Sequence, residues 1–184
     1  NELEQSRIFH FCGYQWDTDG QKGCIQKAIK LAKKSNALIS FDVSDPWVVE
    51  KNRNEFLDLI EKDVDIVFAN QEEGRLLLPG KSEHEIIESL ARNTTVAVLK
   101  MGADGALLQS GEEKKAVHVK ALPVDVVDTT GAGDVFAAGV LCGVLSKKSL
   151  IDCGQMGAIL ASSVVSHLGA YVENSALDKV RSFS

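Results

Sequence analysis

The 184-residue sequence lacks the features that would point to a membrane, a metal centre or a nucleic acid. No apolar run reaches membrane-spanning length, and no charged segment followed by an apolar stretch opens the chain. The four histidines show no metal-ligand spacing. Lysines and arginines are scattered, and the formal net charge is -6. We therefore expect no membrane and no nucleic acid among the partners of this protein.

Cysteine is scarce, and no two cysteines form a C-x-x-C pair. Two of the four fall within helix-like patterns, which favours reduced, buried thiols and a cytoplasmic location. The four are Cys12, Cys24, Cys142 and Cys153.

Repeats, linkers and low-complexity segments are also missing, while 45% of the residues are apolar and 25% are charged. This is the balance of an ordinary globular domain, and the length suffices for one sizeable core. We predict a single α/β domain over residues 1–184. The chain starts without Met close to a strand-like run, so we expect it to enter a domain partway.

Strand-like and helix-like runs alternate along the sequence. The strand-like runs are RIFHFC, ALISFDV, VDIVFA and VAVLKM, and a hairpin is predicted for GALLQS and KKAVHVK. Helix-like runs stand between the strands and follow the hairpin, as in PWVVEKNRNEFLDLIEKD and VFAAGVLCGVL. Because parallel neighbours need crossover connections, this order predicts a three-layer αβα fold, with a mostly parallel sheet and an antiparallel edge hairpin.

The stretch DTTGAGD, residues 128–134, lies between the β-rich run PVDVVD and the start of a helix. Glycines there let backbone amides approach a ligand, and a helix start favours an anion, most often phosphate. A plain capped helix start is one alternative. A dinucleotide fingerprint is another, but its third small position falls on Phe136. No Gly-Lys-Ser/Thr follows, which excludes a Walker-type loop. A phosphoryl-transfer site is the remaining interpretation.

The longer run DTTGAGDVFAAGVL resembles the C-terminal signature of the ribokinase-like (PfkB) family of carbohydrate and nucleoside kinases. The resemblance covers essentially the whole chain. ANQEE has the N-x-x-E spacing of the family, KMGADG matches its Gly-x-x-Gly segment, and the pair at Gly169 and Ala170 matches a recurring late loop. The resemblance implies the ribokinase-like fold and a kinase activity.

Several roles follow from the resemblance for the glycine stretch. Asp134 would be the catalytic base that takes the proton of the substrate hydroxyl, and a helix start would keep its carboxylate charged at pH 7. The amides of Gly131, Ala132 and Gly133 would form an anion hole for the migrating phosphoryl group.

The resemblance also implies an ATP site and a Mg²⁺ site elsewhere in the chain. Asn70 and Glu73 would lie near the phosphates, with Glu73 reaching Mg²⁺ through water. These two residues also match a helix N-cap and capping box, so a purely structural role stays open. The nucleotide site would be lined by Lys100, Gly102 and Gly105. The alternative interpretation of these residues is purely structural: a strand end followed by a tight turn.

Asp128 and the carbonyl of Thr130 match positions where many family members bind a monovalent cation such as K⁺, with a simple turn as the alternative. The helix face with Phe136 and Val140 is interpreted as core rather than site. Trp16 and Trp47 are interpreted as core residues, with the edge of the substrate site as the alternative.

The resemblance therefore predicts an ATP-dependent phosphotransferase that phosphorylates a hydroxyl of a sugar or nucleoside. The N-terminal part of the family, with its Gly-Gly signature and small β lid, has no counterpart here, so we expect the chain alone to be inactive. The alternative is a non-catalytic nucleotide-binding or interaction module derived from such a kinase. The chain could form a homodimer. The sequence does not show which sugar or nucleoside is the acceptor.

Overall fold

The computed structural model describes residues 2–113 and 115–183, which cluster into two compact units. The first unit comprises Asn1–Leu99 and Gln109–Ala116, and the second comprises Lys100–Leu108 and Val117–Ser184. Lys114, which the sequence placed at the start of the second hairpin strand, lies outside the described residues, as do Asn1 and Ser184. The assignment of residues 1–184 to a single domain stays a prediction.

The first unit alternates strands and helices in the predicted order. Its strands are β1 (Ile8–Cys12), β2 (Leu38–Asp42), β3 (Ile66–Asn70) and β4 (Val96–Lys100), the last residue of which belongs to the second unit. Its helices are α1 (Glu2–Gln5), α2 (Asp19–Lys34), α3 (Pro46–Lys62), α4 (Gln71–Leu77) and α5 (Glu83–Ala91). A short 3₁₀ helix, Gly13–Trp16, follows β1.

The second unit contains the hairpin and the glycine stretch. The hairpin strands are β5 (Ala106–Ser110), whose last two residues belong to the first unit, and β6 (Val117–Val119). Three helices follow, namely α6 (Ala132–Leu145), α7 (Leu150–Val165) and α8 (Asn174–Arg181). A second 3₁₀ helix, Gly102–Asp104, lies between β4 and β5.

Six strands form one mostly parallel sheet in the order β1-β2-β3-β4-β5-β6. Strands β1 and β2 pair in parallel with Ile8 opposite Leu38, and β2 and β3 pair in parallel with Ser40 opposite Ile66. Strands β5 and β6 are antiparallel, with Leu107 opposite His118. The predicted α/β class, the mostly parallel sheet and the antiparallel hairpin are confirmed.

Helix α3 shows why the sequence starts a helix where it does. Pro46 is its first residue, where the missing N–H has no partner to lose. The preceding residue, Asp45, is extended, and its Oδ1 accepts hydrogen bonds from the amides of Trp47 at 2.8 Å and Val48 at 3.4 Å. The carboxylate thus satisfies two of the amides that the first turn leaves unpaired.

Each unit has its own apolar packing. In the first, the ring of Phe41 stacks on Phe11 with centroids 4.8 Å apart and meets the edge of Phe56 at 4.9 Å. In the second, α6 packs against α7 so closely that a Cβ atom on Gly139 would lie 2.6 Å from the Cα of Gly157. Within residues 2–113 and 115–183, no helix is both long and apolar enough to cross a membrane.

Two local predictions, on a tryptophan and on the cysteines, are wrong. In addition, the β-rich run PVDVVD forms no strand, and its valines, including Val126 and Val127, are exposed. Trp16 is buried as predicted, but Trp47 is 62% exposed because α3 places it on the outer side of its first turn. Cys24 and Cys142 are exposed. Helical patterning alone did not show which face of each helix carries these side chains.

Candidate active site

The glycine stretch ends in a helix start that only glycine can form easily. Gly131 is the N-cap residue of α6 and has a left-handed backbone, with φ of 77°. A Cβ atom there would lie 2.7 Å from the Cβ of Ala170, in the late loop of the second unit. Glycine is therefore required at this position both for its backbone conformation and for the close approach of that loop.

The three residues predicted to form an anion hole stand in sequence at this helix start. Gly131 has no side chain and so makes no side-chain capping bond. The amide of Ala132 donates to the carbonyl of Thr129 at 3.1 Å, and the first helical hydrogen bond runs from Val135 to Gly131 at 3.0 Å. The amide of Ala132 is thus used within the turn, which leaves Gly131 and Gly133 as the main candidate donors.

Asp134 lies in the first turn of α6, and its side chain is exposed. A carboxylate in this position is favoured by the positive end of the helix dipole. The arrangement therefore combines an exposed acid with backbone donors in a single helical turn.

Asp128 ties the glycine stretch to the late loop. Its Oδ1 accepts from the amide and the hydroxyl of Thr130, at 2.9 and 2.7 Å, and its Oδ2 accepts from the amide of Gly169 at 3.0 Å. The bond from Gly169 and then those from Thr130 lower the pKa of Asp128 to about 2. The structure shows the turn that was the alternative to a cation site, and the cation site stays a prediction.

Lys100, Gly102 and Gly105 form the predicted turn after β4. Gly102 and Gly105 both have a left-handed φ, of 59° and 89°. A Cβ atom on Gly105 would lie only 2.0 Å from the carbonyl oxygen of Val119, so the turn packs directly against β6. The Lys100 ammonium lies 3.4 Å from where a Cβ atom on Gly133 would be. The turn and the start of α6 are therefore neighbours within the second unit, and the ammonium favours an anion there.

A cavity of about 530 Å³ opens between these two segments, and all of its walls belong to the second unit. Five of the predicted site residues line it, namely Lys100, Gly102, Gly105, Ala132 and Gly133. This volume is in the range of small-molecule sites. Phe136, interpreted as core, is buried and also lines the cavity.

Sequence analysis missed most of the apolar wall of this cavity. One part is the extended segment after β6, which contributes Leu122, Pro123, Val124 and Val126, and the other is one face of α7, with Ala158, Ala161, Ser162 and Val165. The apolar run of Leu122, Pro123, Val124 and Val126, directly before the glycine stretch, is the sequence signal that could have found the first part. The α7 residues carry no such signal, because small apolar residues are ordinary on a packed helix.

Asn70 and Glu73, in the first unit, form a complete capping box at the start of α4. The amide of Glu73 donates to Asn70 Oδ1 at 2.9 Å. In return, Glu73 Oε2 accepts from the Asn70 amide and Oε1 from Asn70 Nδ2, both at 2.7 Å. Glu73 is only 1% exposed. The structural interpretation of this pair is confirmed, and its role near Mg²⁺ stays a prediction.

No group of three or more His, Cys, Asp or Glu residues in the described part of the chain is arranged to hold a metal ion. A magnesium ion that keeps several waters and uses one or two carboxylates does not require such a group.

Comparison with known proteins gives the family. The model of the pfkB family carbohydrate kinase matches residues 1–177. The structure of adenosine kinase from Sinorhizobium meliloti is 34% identical over all of this chain and 56% of that chain, with a TM-score of 0.91. The structure of a probable sugar kinase from Rhizobium etli CFN 42 is 33% identical over 98% of this chain and 55% of that one, also with a TM-score of 0.91.

An ATP-dependent 6-phosphofructokinase from Thermoanaerobacterium thermosaccharolyticum is 25% identical over 98% of this chain and 56% of its own length. The chain thus spans about half the length of these relatives. The family model spans residues 1–177, and two solved structures exceed 30% identity over nearly all of the chain. The chain therefore belongs to the PfkB family of carbohydrate kinases and has the ribokinase-like fold.

Proposed function

We propose that this protein is part of an ATP-dependent kinase that transfers a phosphoryl group to a hydroxyl of a sugar or nucleoside. The observation that carries the proposal is the start of α6, where left-handed Gly131 and exposed Asp134 stand in one turn beside a cavity lined by Lys100. Relatives named as an ATP-dependent phosphofructokinase and an adenosine kinase support the donor and the two acceptor classes.

The backbone at this helix start would hold the phosphoryl group during transfer. Transfer has a loose transition state and depends mainly on positioning and on stabilising negative charge. The amides of Gly131 and Gly133 would donate to the phosphoryl oxygens. The amide of Ala132, which donates to the carbonyl of Thr129, would donate to a phosphoryl oxygen at the same time, in a bifurcated hydrogen bond. The Lys100 ammonium, next to Gly133, would add a positive charge on the same side.

Asp134 would orient the acceptor hydroxyl and receive its proton late in the transfer. Its carboxylate is exposed in the first helical turn, where it can accept a hydrogen bond from the hydroxyl, so it is suited to positioning as well as to proton abstraction. The second acid of the proposal, Glu73, is buried and bonded to Asn70, so it would act on Mg²⁺ only through water. Bound Mg-ATP would supply the phosphoryl group and the cation that neutralises its charge.

The wall of the cavity fits the apolar part of a nucleotide. Leu122, Val124 and Val126 on one side and Ala158 and Val165 on the other would bury a flat ring, and the turn with Gly102 and Gly105 allows close backbone approach.

The experiment that tests this proposal is calorimetric titration of the chain with Mg-ATP, followed by a kinase assay with ribose, fructose and adenosine. Because the chain spans about half of its relatives, we expect weak ATP binding and no turnover by the chain alone. A longer protein that contains this chain is expected to turn over one of the acceptors. Absence of Mg-ATP binding would contradict the nucleotide site. ATP binding without turnover by the longer protein would favour the non-catalytic module.

A further inference from the structure

The cavity of the second unit is polar at one end and apolar along its walls. Among the described residues that line it, three have side chains with a hydrogen-bonding group, namely Lys100, Thr129 and Ser162. Lys100 lies beside Gly133, and Thr129 comes just before the start of α6, so both stand at the end proposed for the phosphates. Of these three side chains, only Ser162 stands away from that end, on α7, where it could bond a base.

The hydroxyl of Ser162 is already used inside its own helix. It donates to the carbonyl of Ile159 at 2.8 Å, which leaves its oxygen as an acceptor only. The pairing edge of adenine carries the N–H groups of the 6-amino group, and that of guanine or hypoxanthine carries N1–H beside a 6-keto oxygen. Because an acceptor can bond either kind of N–H, Ser162 does not distinguish these bases.

One wall of the cavity borders on solvent. Residues 120–126, after β6, have no regular secondary structure, and the lining side chains Leu122, Val124 and Val126 are 45%, 40% and 64% exposed. A ring that lies against these side chains buries its apolar faces and keeps its polar edge near water. A 6-amino and a 6-keto group are then both hydrated, so the exchange of one for the other leaves no buried polar group unpaired.

The opposite wall consists of small or apolar side chains. Helix α7 contributes Ala158, Ala161 and Val165, and α6 contributes Phe136. These side chains carry no polar atom that could recognise the substituents of a ring. A site that hydrogen-bonds its substrate rejects an analogue without the bonding group by about 10⁴–10⁵-fold, whereas an apolar pocket rejects an isostere poorly. The walls of this cavity are of the second kind.

We propose that this cavity selects a purine ring by its shape and does not read the substituents of the ring, so that Mg-ATP, Mg-GTP and Mg-ITP all serve as phosphoryl donors. This rests on the proposed kinase function and widens its donor from ATP to the purine nucleoside triphosphates. Pyrimidine nucleotides have one ring less to bury between the two walls, so they bind more weakly.

The transfer step is the same for each purine donor. The acceptor oxygen bonds to the γ-phosphorus, and the bond from that phosphorus to the β–γ bridging oxygen breaks. The hydroxyl proton passes to Asp134, and the nucleoside diphosphate leaves. The base takes no part in these bond changes, so differences between donors arise from binding alone.

The first test compares the dissociation constants of four magnesium nucleotides for the chain by calorimetric titration. We expect Mg-ATP, Mg-GTP and Mg-ITP to bind within about fivefold of one another. Mg-UTP is expected to bind at least about fivefold more weakly than Mg-ATP. A larger preference for Mg-ATP over Mg-ITP would show that the 6-amino group is read, and would overturn the proposal. Equal binding of Mg-UTP and Mg-ATP would overturn it as well, because the walls would then not hold the ring.

The second test asks whether Ser162 reads the base. Ser162→Ala should leave the ratio of the Mg-ATP and Mg-ITP dissociation constants within about twofold of the wild-type ratio, since the hydroxyl oxygen can accept from either base. The same calorimetric titration measures this ratio. A larger change in the ratio would assign base recognition to Ser162 and contradict selection by shape.

The third test removes part of the solvent-side wall. Val126→Ala is expected to weaken the binding of all three purine nucleotides by a similar factor of about three, because it takes apolar area from the ring contact. The matched control is Val127→Ala, since Val127 is 57% exposed but is not among the lining residues, and it should bind as wild type does. Unchanged binding by Val126→Ala, or a loss confined to Mg-ATP, would overturn the proposal.

The two proposals fail in different ways. If the chain binds Mg-ATP but neither Mg-GTP nor Mg-ITP, the base is read, and the kinase proposal stands. If no nucleotide binds, the kinase proposal fails, and the inference that rests on it fails with it. In a longer protein that contains the chain, a kinase assay is expected to show turnover with each of the three purine donors. Turnover with Mg-ATP alone would contradict the wider donor class.

Discussion

Asp128 and Gly169, 41 positions apart in the sequence, are joined by a hydrogen bond of 3.0 Å from the glycine amide to the carboxylate. The same carboxylate binds the amide and hydroxyl of Thr130, just before the start of α6. The late loop is thereby held against the glycine stretch, where Ala170 lies close to Gly131. The position of the candidate anion site therefore depends on a contact between two segments that are distant in sequence.

Asp134→Asn is expected to lower kcat by about 10²–10⁴-fold in a longer protein that contains this chain, with ATP affinity nearly unchanged. The reason is that the amide cannot accept the proton of the hydroxyl but keeps the size of the side chain. Steady-state kinetics and calorimetry would measure both effects. The control is Asp152→Asn, which changes the first-turn acid of α7 and should leave kcat within a few-fold of wild type. Comparable losses in both variants would contradict the assignment.

The lowered pKa of Asp128 predicts how stability depends on pH. Its folded pKa of about 2 lies below the ordinary value for aspartate, so its stabilising contribution is present above about pH 4. That contribution is lost as the pH falls through the folded pKa, between about pH 4 and 2. Asp128→Asn should therefore have a lower Tm at pH 7 and a shallower loss of Tm over this window. Thermal unfolding followed by circular dichroism would show the difference.

The control for that experiment is Asp178→Asn, which removes an exposed carboxylate of α8 in the same unit. It should keep the wild-type slope between pH 4 and 2. A wild-type slope in Asp128→Asn as well would mean that the contacts with Gly169 and Thr130 contribute nothing to stability.

Gly131→Ala should destabilise the protein more than Gly80→Ala does. Both glycines are left-handed, with φ of 77° and 79°, so alanine costs about 1–2 kcal/mol of backbone strain at either position. A Cβ atom at Gly80 meets nothing within 4 Å, whereas at Gly131 it would press on Ala170 at 2.7 Å. The free energy of unfolding from denaturant titration measures the two. Equal losses would show that the late loop moves away without cost.

Glu73→Gln is expected to destabilise the protein by about 1–3 kcal/mol, because one oxygen that accepts from Asn70 becomes a buried donor. The matched control is Glu85→Gln in the capping box of α5. There, Oε2 alone accepts both bonds from Ser82, so the other oxygen can become the amide nitrogen at little cost. Denaturant titration of both variants would separate them. Equal stability of Glu73→Gln and wild type would show that the capping box tolerates an amide.

Much of the candidate site could be predicted from sequence because its parts are local. A capping box needs only residues three positions apart, and the bonds between Asn70 and Glu73 are of that kind. The sequence predicts that a helix starts at the glycine stretch, and α6 begins there at Ala132, because glycines next to an apolar helical run favour a turn into a helix. Strand and helix order followed from periodicity for the same reason.

The exposure of single side chains could not be predicted in this way. Trp47 and Trp16 are both predicted to be core residues. Trp47 is exposed, whereas Trp16 is buried and donates its indole N–H to Glu55. The difference arises from which side of each element faces the sheet. That side is decided by packing against neighbours that the local pattern does not contain.

By itself, the sequence determined which elements form and where the glycines, the acid and the capping pairs stand along the chain, because these depend on hydrogen bonds and backbone preferences over a few residues. The tertiary structure decided what these parts meet. It placed Ala170 against Gly131, Val119 against Gly105, and α7 along the cavity wall. These contacts depend on the close packing of segments that are far apart in sequence. There, steric fit rather than local backbone preference selects the arrangement.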